Sequence, residues 1–140
     1  MTRLVVDSSV VIKWSVPEVH SADALRYLDP DLERDAPELL LAEMSNILWK
    51  KVGRGELTRV EAEKIAADLG QADVAVHPMG PLFEAALRIA LETGRSAYDS
   101  MYLALAEMLS TRVVTADRRL CNALQGGPYA GLVLWVEDGP

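Results

Sequence analysis

Short, β-branched apolar runs alternate along this chain with longer segments of helical periodicity. Runs that are apolar on both faces are typical of strands buried in a parallel sheet, and the alternation predicts helices packed against that sheet. We therefore predict an α/β fold with a central, mainly parallel sheet, formed by a single domain over residues 1–140. The predicted strands are Leu4–Val6, Val74–His77, Val113–Thr115 and Leu132–Val136.

Helix start and stop signals divide the rest of the chain. One polar stretch, Asp29–Asp35 (DPDLERD), contains a proline and predicts a surface loop. Shorter helices are expected after Ser9, around His20–Leu28 and after Asp117. The four long predicted helices are Pro37–Val52, Thr58–Leu69, Pro81–Thr93 and Ser96–Leu109.

The charge of the chain limits what it can bind. Its 140 residues carry 14 Lys and Arg against 21 Asp and Glu, a formal net charge of -7. Such a chain is the opposite of a protein that coats nucleic acid, so nucleic-acid binding would have to be local or assisted by a metal. Cys121 is the single cysteine, which excludes an intramolecular disulfide and fits a cytoplasmic setting. Asp7 interrupts the first apolar run too early for a signal peptide, and no run is long enough for a membrane span.

Four acidic residues occupy positions that are unusual for surface charge. Asp7 and Asp117 each follow a predicted strand, and in an open parallel sheet the carboxyl ends of strands form the edge where ligands bind. Asp99 lies on an apolar stripe of its predicted helix, and Glu43 shares a helix side with leucine and isoleucine residues. These positions predict carboxylates that are partly removed from water.

A carboxylate on a buried side must be paired, protonated or bound to a cation, because an isolated charge there is costly. Several converging acids raise one another's pKa, and a divalent cation relieves their repulsion. A ligand set of oxygen atoms alone selects Mg²⁺ or Mn²⁺ over zinc. This combination points to hydrolysis of phosphodiesters.

Each acid also has an ordinary explanation. Asp7, Asp99 and Asp117 stand near predicted helix starts, where acidic residues cap helices and suit the helix dipole. Glu43 could pair with Lys50 on the same helix. Both interpretations stay open at this stage, because residue spacing alone cannot show that the four side chains meet.

Four segments, in this order, resemble the PIN-domain nucleases and in particular the VapC-like toxins: LVVDSSVVIKW, AEMSNILWK, SAYDSMYLALAE and VVTADRRL. The resemblance runs from about residue 3 to residue 120. It implies a three-layer α/β/α domain and an endoribonuclease that depends on Mg²⁺ or Mn²⁺. It also implies an RNA substrate and a cognate antitoxin that keeps the enzyme silent. A homodimer is expected as well, because the mostly core-facing apolar helical faces Leu39–Leu48 and Leu82–Leu91 leave some surface for a dimer partner or an antitoxin helix.

The resemblance assigns roles to particular residues. Asp7 and Asp99 would be the chief metal ligands, while Glu43 and Asp117 would bind a second metal or orient water. Three further positions would support the site through hydrogen bonds: Ser9, Asn46 and Thr115. Some relatives carry another acid soon after the fourth carboxylate, and in this chain two arginines stand there instead.

The remaining polar and aromatic residues carry weaker expectations. Four cations could contact an RNA backbone or could be ordinary surface charge: Lys13, Arg112, Arg118 and Arg119. His20, His77 and Cys121 are expected to be structural. The three tryptophans are too scattered for a base-stacking platform and predict core or interface positions: Trp14, Trp49 and Trp135.

Two other functions compete with a nuclease. One is a catalytically silent PIN fold that acts as a binding module, which loss of two of the acids would favour. The other is a phosphoacceptor receiver domain, which also has acids at strand ends. Receivers need a paired acidic start, whereas Ser8 and Ser9 follow Asp7 in this chain.

Overall fold

The structure is a computed structural model that describes residues 2–140. Its sheet is parallel throughout, with the strand order β3-β2-β1-β4-β5. The chain moves outward from β1 to β3 and then returns to the other side of β1, so the carboxyl ends of β1 and β4 form the topological switch point. The strands are β1 (Thr2–Val6), β2 (Leu32–Pro37), β3 (Ala75–His77), β4 (Val113–Thr115) and β5 (Val133–Trp135).

Helices cover both faces of this sheet, which confirms the predicted three-layer α/β/α class. Helices α3 and α4 pack against each other, α5 packs along α6, and α6 lies across β1 and β2. None of the helices described within residues 2–140 is long and apolar enough to cross a membrane. The helices are α1 (Ser8–Val11), α2 (Ser21–Leu25), α3 (Leu39–Gly53), α4 (Arg59–Gly70), α5 (Phe83–Thr93), α6 (Ala97–Met108) and α7 (Arg118–Leu124).

The helix ends follow signals that are visible in the sequence. Thr58 and Glu61 form a reciprocal capping box at the start of α4. The Ser96 hydroxyl accepts a hydrogen bond from the Asp99 backbone N–H at the start of α6. Gly94 ends α5 with φ 74°, a left-handed conformation that glycine adopts without a steric penalty. These contacts place Asp99 in the first turn of α6.

Short 3₁₀ turns alter several predicted boundaries. The predicted helix Pro81–Thr93 consists of a turn over Gly80–Leu82 followed by α5. The predicted helix around His20–Leu28 consists of α2 followed by a turn over Arg26–Leu28. Pro37 ends β2, so the helix predicted from this residue begins at Leu39 instead.

The hydrophobic core lies between the central strands and α6. Val5 and Val6 of β1 are completely buried, and so are Leu103 and Leu105 of α6. Nearly continuous burial along the middle of α6 fixes this helix against the sheet. Because α6 begins with the turn that carries Asp99, the core also fixes the position of that acid.

The prediction of a surface loop over Asp29–Asp35 is wrong, because its second half lies within β2. Leu32, Arg34 and Asp35 are all buried there. The charged composition suggested solvent, yet the two charges are buried, and several of their partners, Asp73, His77 and Arg3, come from remote parts of the chain.

Arg34 and Asp35 each satisfy their polar groups in a different way. The Arg34 guanidinium donates to the backbone carbonyls of Tyr27, Asp29 and Asp73 at 3.0 to 3.1 Å. Asp35 Oδ1 lies 2.7 Å from Nε2 of His77, and Asp35 Oδ2 lies 3.1 Å from the Arg3 Nε. Such pairing removes most of the cost of burying a charge.

Candidate active site

The four predicted acids converge at the switch point of the sheet. Asp7 directly follows β1, and Asp117 stands at the start of α7, just after β4. Glu43 projects from α3, and Asp99 projects from the first turn of α6. All four are half-buried. Four separate elements therefore bring carboxylates to one edge of the sheet.

The carboxylates lie close enough to one another to raise the pKa of Asp7, Glu43 and Asp99. Burial raises the pKa of Asp7, and the charge of Asp117 raises it further, although hydrogen bonds from hydroxyl groups lower it. Burial raises the pKa of Glu43, as do the charges of Asp7 and Asp99. Burial also raises the pKa of Asp99, together with the charges of Asp7 and Asp117. Mutual repulsion of this kind is what a divalent cation relieves.

Asp7 is held by a small network of hydroxyl groups. Its Oδ2 accepts hydrogen bonds from Thr115 Oγ1 at 2.7 Å and from Ser9 Oγ at 3.0 Å. Thr115 Oγ1 in turn accepts from the Asp117 N–H at 3.0 Å, and Ser9 Oγ accepts from the Ala116 N–H at 2.9 Å. Ser9 and Thr115 thus hold Asp7 and tie it to the backbone that leads to Asp117.

Glu43 is held by a tyrosine from the opposite helix layer. The Tyr102 hydroxyl donates to Glu43 Oε1 at 2.6 Å, and this hydrogen bond lowers the pKa of Glu43 against the larger effect of burial. Sequence analysis missed Tyr102 as a site residue. Its position three residues after Asp99, on the same apolar stripe, was the available signal.

The ordinary explanations for the acids apply only in part. Asp117 does cap its helix, since its Oδ1 accepts from the Arg119 N–H at 3.0 Å. Asp7 occupies the N-cap position of α1 but makes no side-chain cap bond. Within residues 2–140, no ion pair joins Glu43 to Lys50, or any of the four acids to a Lys, Arg or His side chain. None of these acids therefore has an ion-pair partner in that range, which is the usual compensation for a carboxylate that is partly removed from water.

Comparison with known proteins identifies the family. The model of the PIN domain family matches residues 4–123, a range that includes all four acids. This chain belongs to the PIN domain family. The predicted resemblance to PIN-domain nucleases is therefore confirmed.

Individual relatives agree with this assignment. The PIN domain described here is 35% identical over 122 residues to Ribonuclease VapC3 of Pyrobaculum aerophilum, a match that covers 86% of this chain and 93% of that protein. It superposes on the crystal structure of PAE2754 from Pyrobaculum aerophilum with a TM-score of 0.69 and 26% identity, covering 97% of this chain and 85% of the other. It shares the fold of VapC20 from Mycobacterium tuberculosis, a sarcin-ricin loop cleaving toxin, with a TM-score of 0.67, 19% identity and coverage of 98% and 99%.

The other residues predicted for the PIN site lie at varying distances from its acids. Asn46 is exposed on α3, one turn after Glu43. Lys13 lines a groove together with Ser9, beside the site. Arg112 precedes β4, so it stands at the opposite edge of the sheet from Asp117. The structure does not bring Arg112 to the acids, because the residue before a strand and the residue after it lie at opposite ends of that strand.

The two arginines after Asp117 differ in their surroundings. The Arg118 guanidinium lies over the Trp135 ring, 3.7 Å from its centroid, and this cation–π contact orients it on α7. The Trp135 ring also meets the His20 ring edge to face at 5.2 Å. Arg119 is exposed and donates its backbone N–H to Asp117. Arg118 is therefore partly engaged in packing, whereas the side chain of Arg119 faces solvent.

One further cation lies near the acids and was not identified from the sequence. The charge of Arg95, just before α6, lowers the pKa of Asp99, although burial and the neighbouring acids raise it more. The Arg95 Nε is buried and makes no hydrogen bond within residues 2–140. Its position in the loop between α5 and α6 offered no helical or strand pattern from which to predict it.

Proposed function

We propose that this PIN domain is a metal-dependent endoribonuclease and the toxin of a toxin–antitoxin pair. The observation that carries the proposal is the convergence of Asp7, Glu43, Asp99 and Asp117 without a cationic partner. The relative named Ribonuclease VapC3 supports RNA as the substrate, and the structural likeness to the toxin VapC20 agrees with it.

Asp7 and Asp99 would be the chief ligands of Mg²⁺ or Mn²⁺, and Glu43 and Asp117 would bind a second ion or orient water. The donor atoms are all carboxylate oxygens, half-buried and without ion-pair partners, and this set fits hard divalent cations. When bound, such an ion lowers the pKa of a coordinated water and offsets the negative charge of a phosphodiester.

Hydrogen bonds from hydroxyl and backbone N–H groups orient three of the four carboxylates. Ser9 and Thr115 fix one oxygen of Asp7, Tyr102 fixes one oxygen of Glu43, and the Arg119 N–H fixes one oxygen of Asp117. Glu43 and Asp117 each keep a second oxygen for other contacts, while the second oxygen of Asp7 accepts one long hydrogen bond from Ser8 Oγ at 3.4 Å. Partners that orient metal ligands in this way typically contribute 10- to 100-fold in affinity or activity.

The reaction is hydrolysis of an internal RNA linkage. Water attacks phosphorus, the bond to the 3′ oxygen breaks, and the products carry a 5′-phosphate and a 3′-hydroxyl, as the family resemblance implies. Single-stranded or looped RNA suits a site at an open sheet edge, since its backbone is accessible there.

The experiment is cleavage of a total RNA pool by purified protein with Mn²⁺ or Mg²⁺ and mapping of the cut sites. Wild-type protein should cleave, while EDTA or Asp99→Asn should abolish cleavage without unfolding the protein. Cleavage by folded Asp99→Asn at the wild-type rate would contradict the mechanism. Absence of cleavage by folded, metal-loaded wild type would favour the alternative, a catalytically silent PIN-fold binding module.

We also propose that this chain forms a homodimer and binds a cognate antitoxin. The exposed side of α5 carries Phe83, Leu87 and Leu91 at intervals of four residues, which is an apolar stripe with room for a partner. Light scattering after size exclusion should give the mass of two chains. A monomer at all concentrations would contradict the dimer, and failure to co-purify with an antitoxin encoded beside it would contradict the second partner.

A further inference from the structure

A groove rich in cations lies beside the acidic site and along α3. We call it the basic groove. Its polar lining includes one residue of the acidic site, Ser9, and one acid, Glu18. The chain as a whole carries a charge of -7, so a local excess of positive charge at this place is notable. The lining cations are Lys13, Lys50, Lys51 and Arg54.

The basic groove and the acidic site share one face of α3. Glu43, Ile47, Lys50 and Arg54 follow one another at intervals of four, three and four residues, which places them on the same side of the helix. With a rise of about 1.5 Å per residue, Lys50 lies about 10 Å and Arg54 about 16 Å along the helix axis from Glu43. A strand bound at the acids and running along this face would therefore pass both cations.

Glu18 fixes two of the lysines. Its two carboxylate oxygens accept from Lys13 Nζ at 3.2 Å and Lys51 Nζ at 2.8 Å. Although burial acts against it, these hydrogen bonds lower the pKa of Glu18, and the hydrogen bond to Glu18 raises the pKa of Lys51. The two ion pairs hold both lysines in place, and both are largely buried, with side chains 14% and 15% exposed. Because Glu56 also pairs with Lys51 at 3.6 Å, two acids offset these two lysines, and the cluster forms a fixed floor of the groove with little net charge.

Lys50 and Arg54 supply the exposed positive charge of the groove. Both are exposed, and neither forms an ion pair with an acid in the described part of the chain. Trp49, beside them, is 72% exposed and lines an adjoining hollow with Lys50 and Arg54. A positive groove next to an exposed aromatic ring is typical of proteins that bind single-stranded nucleic acid.

We propose that the basic groove binds the backbone of the RNA strand that flanks the scissile bond. Lys50 and Arg54, which form no ion pair in the described part of the chain, contact the phosphates, and the cluster of Lys13, Glu18 and Lys51 forms the floor of the groove beneath them. This inference rests on the proposed function, because it takes RNA as the substrate. Contacts of this kind position the strand over the acids and do not read its sequence.

The test measures binding separately from cleavage. In the Asp99→Asn background, binding of a 5′-fluorescein-labelled, mixed-sequence 20-nucleotide RNA is followed by anisotropy at several salt concentrations. Lys50→Glu and Arg54→Glu should each weaken binding about 10-fold and lower the slope of log K against log[salt] by about 0.7, the value for one phosphate contact on a single strand. Arg112→Glu is the matched control, since it makes the same charge change at the opposite edge of the sheet.

The outcomes separate this inference from the proposed function. If wild type cleaves RNA but Lys50→Glu and Arg54→Glu bind RNA as tightly as Arg112→Glu, the groove proposal is wrong and the nuclease proposal stands. If these two variants instead lose only the binding of an acidic protein partner, the groove belongs to that partner and the RNA proposal is overturned. If wild type cleaves no RNA, the proposed function fails whatever the binding data show.

Discussion

The Tyr102 hydroxyl donates a 2.6 Å hydrogen bond to Glu43 Oε1 and so joins α6 to α3 at the acidic site. Tyr102 is only 2% exposed. Burial raises the pKa of Tyr102 far above its ordinary value, and the charges of Glu43 and Asp7 raise it further. The hydroxyl therefore keeps its proton and remains a donor at any pH at which the protein is folded.

Tyr102→Phe should leave the protein folded but weaken the site. The ring still fills its place in the core, while Glu43 loses the group that orients it. We expect the metal concentration for half-maximal cleavage to rise about 10-fold, within the range seen when partners of metal ligands are removed. Tyr98→Phe is the control, because Tyr98 is exposed on the same helix. Equal metal requirements in the two variants would show that the hydrogen bond has no role.

Asp99→Asn should abolish cleavage and yet make the metal-free protein more stable at neutral pH. Burial and the charges of Asp7 and Asp117 raise the pKa of Asp99, so the folded protein holds that proton more tightly than the unfolded chain. Stability from this group is complete below its ordinary pKa near 3.8 and is lost as the pH rises through the raised value. Ionisation of Asp99 thus costs folding free energy at pH 7, and asparagine avoids that cost.

Thermal unfolding in EDTA measures this effect. At pH 7.5 the melting temperature of Asp99→Asn should exceed that of wild type by about 3 °C, equivalent to roughly 1 kcal/mol for a chain of this size. The difference should shrink towards pH 4, and also when Mg²⁺ stabilises the wild-type acids. Asp31→Asn, at an exposed position, should change little. A lower melting temperature for Asp99→Asn at pH 7.5 would be inconsistent with the repulsion inferred here.

Thr115→Val should damage the site through Asp7. The change removes the donor to Asp7 Oδ2 and leaves the Asp117 N–H without its acceptor. Thr115 is completely buried, so we expect a loss of about 1–2 kcal/mol in the free energy of unfolding and a cleavage rate about 10-fold lower. Thr115→Ser, which restores the hydroxyl, should recover most of the rate. Urea unfolding and initial cleavage rates test both expectations, and a valine variant as active as the serine variant would refute them.

Arg34→Met should destabilise the fold without acting on the chemistry. The substitution leaves the carbonyls of Tyr27, Asp29 and Asp73 without their common donor. We expect a loss of about 3 kcal/mol in urea unfolding, since the Tyr27 and Asp73 carbonyls lose their donor and the Asp29 carbonyl keeps only the Leu32 N–H. Arg59→Met, at a side chain 88% exposed, should cost less than about 0.5 kcal/mol. Similar unfolding midpoints for the two variants would show that Arg34 is not structural.

How far the sequence predicts this protein depends on where the partners of each residue lie along the chain. Asp7 and Asp117 are predictable, because they follow apolar strands and the ends of parallel strands share one edge. β2 is not predictable from its composition, because the partners of Arg34 and Asp35 come from elsewhere in the chain. The contact between Tyr102 and Glu43 is equally hidden, since it depends on how closely α3 and α6 approach in space.

Two arginines show that a position next to a site element in the sequence does not by itself place a side chain in the site. Arg112 is adjacent to a strand that leads to the site, but it stands before the strand and not after it. Arg118 follows Asp117 directly, yet its guanidinium packs over the Trp135 ring. The residues next to Arg118 in the sequence do not predict this contact. Proximity along the chain therefore indicates proximity to the site only when the direction of the strand and the local packing are both known.

The hydrogen bond between Thr115 and Asp7 joins residues 108 positions apart. The contacts of Tyr102 with Glu43 and of Ser9 with the Ala116 N–H likewise form only when distant segments come together, which is a slow kind of folding step. A chain that ends before β4 lacks both Thr115 and Asp117 and therefore has no complete set of carboxylates. For a proposed toxin this arrangement is protective, because an incomplete chain carries no assembled acidic site.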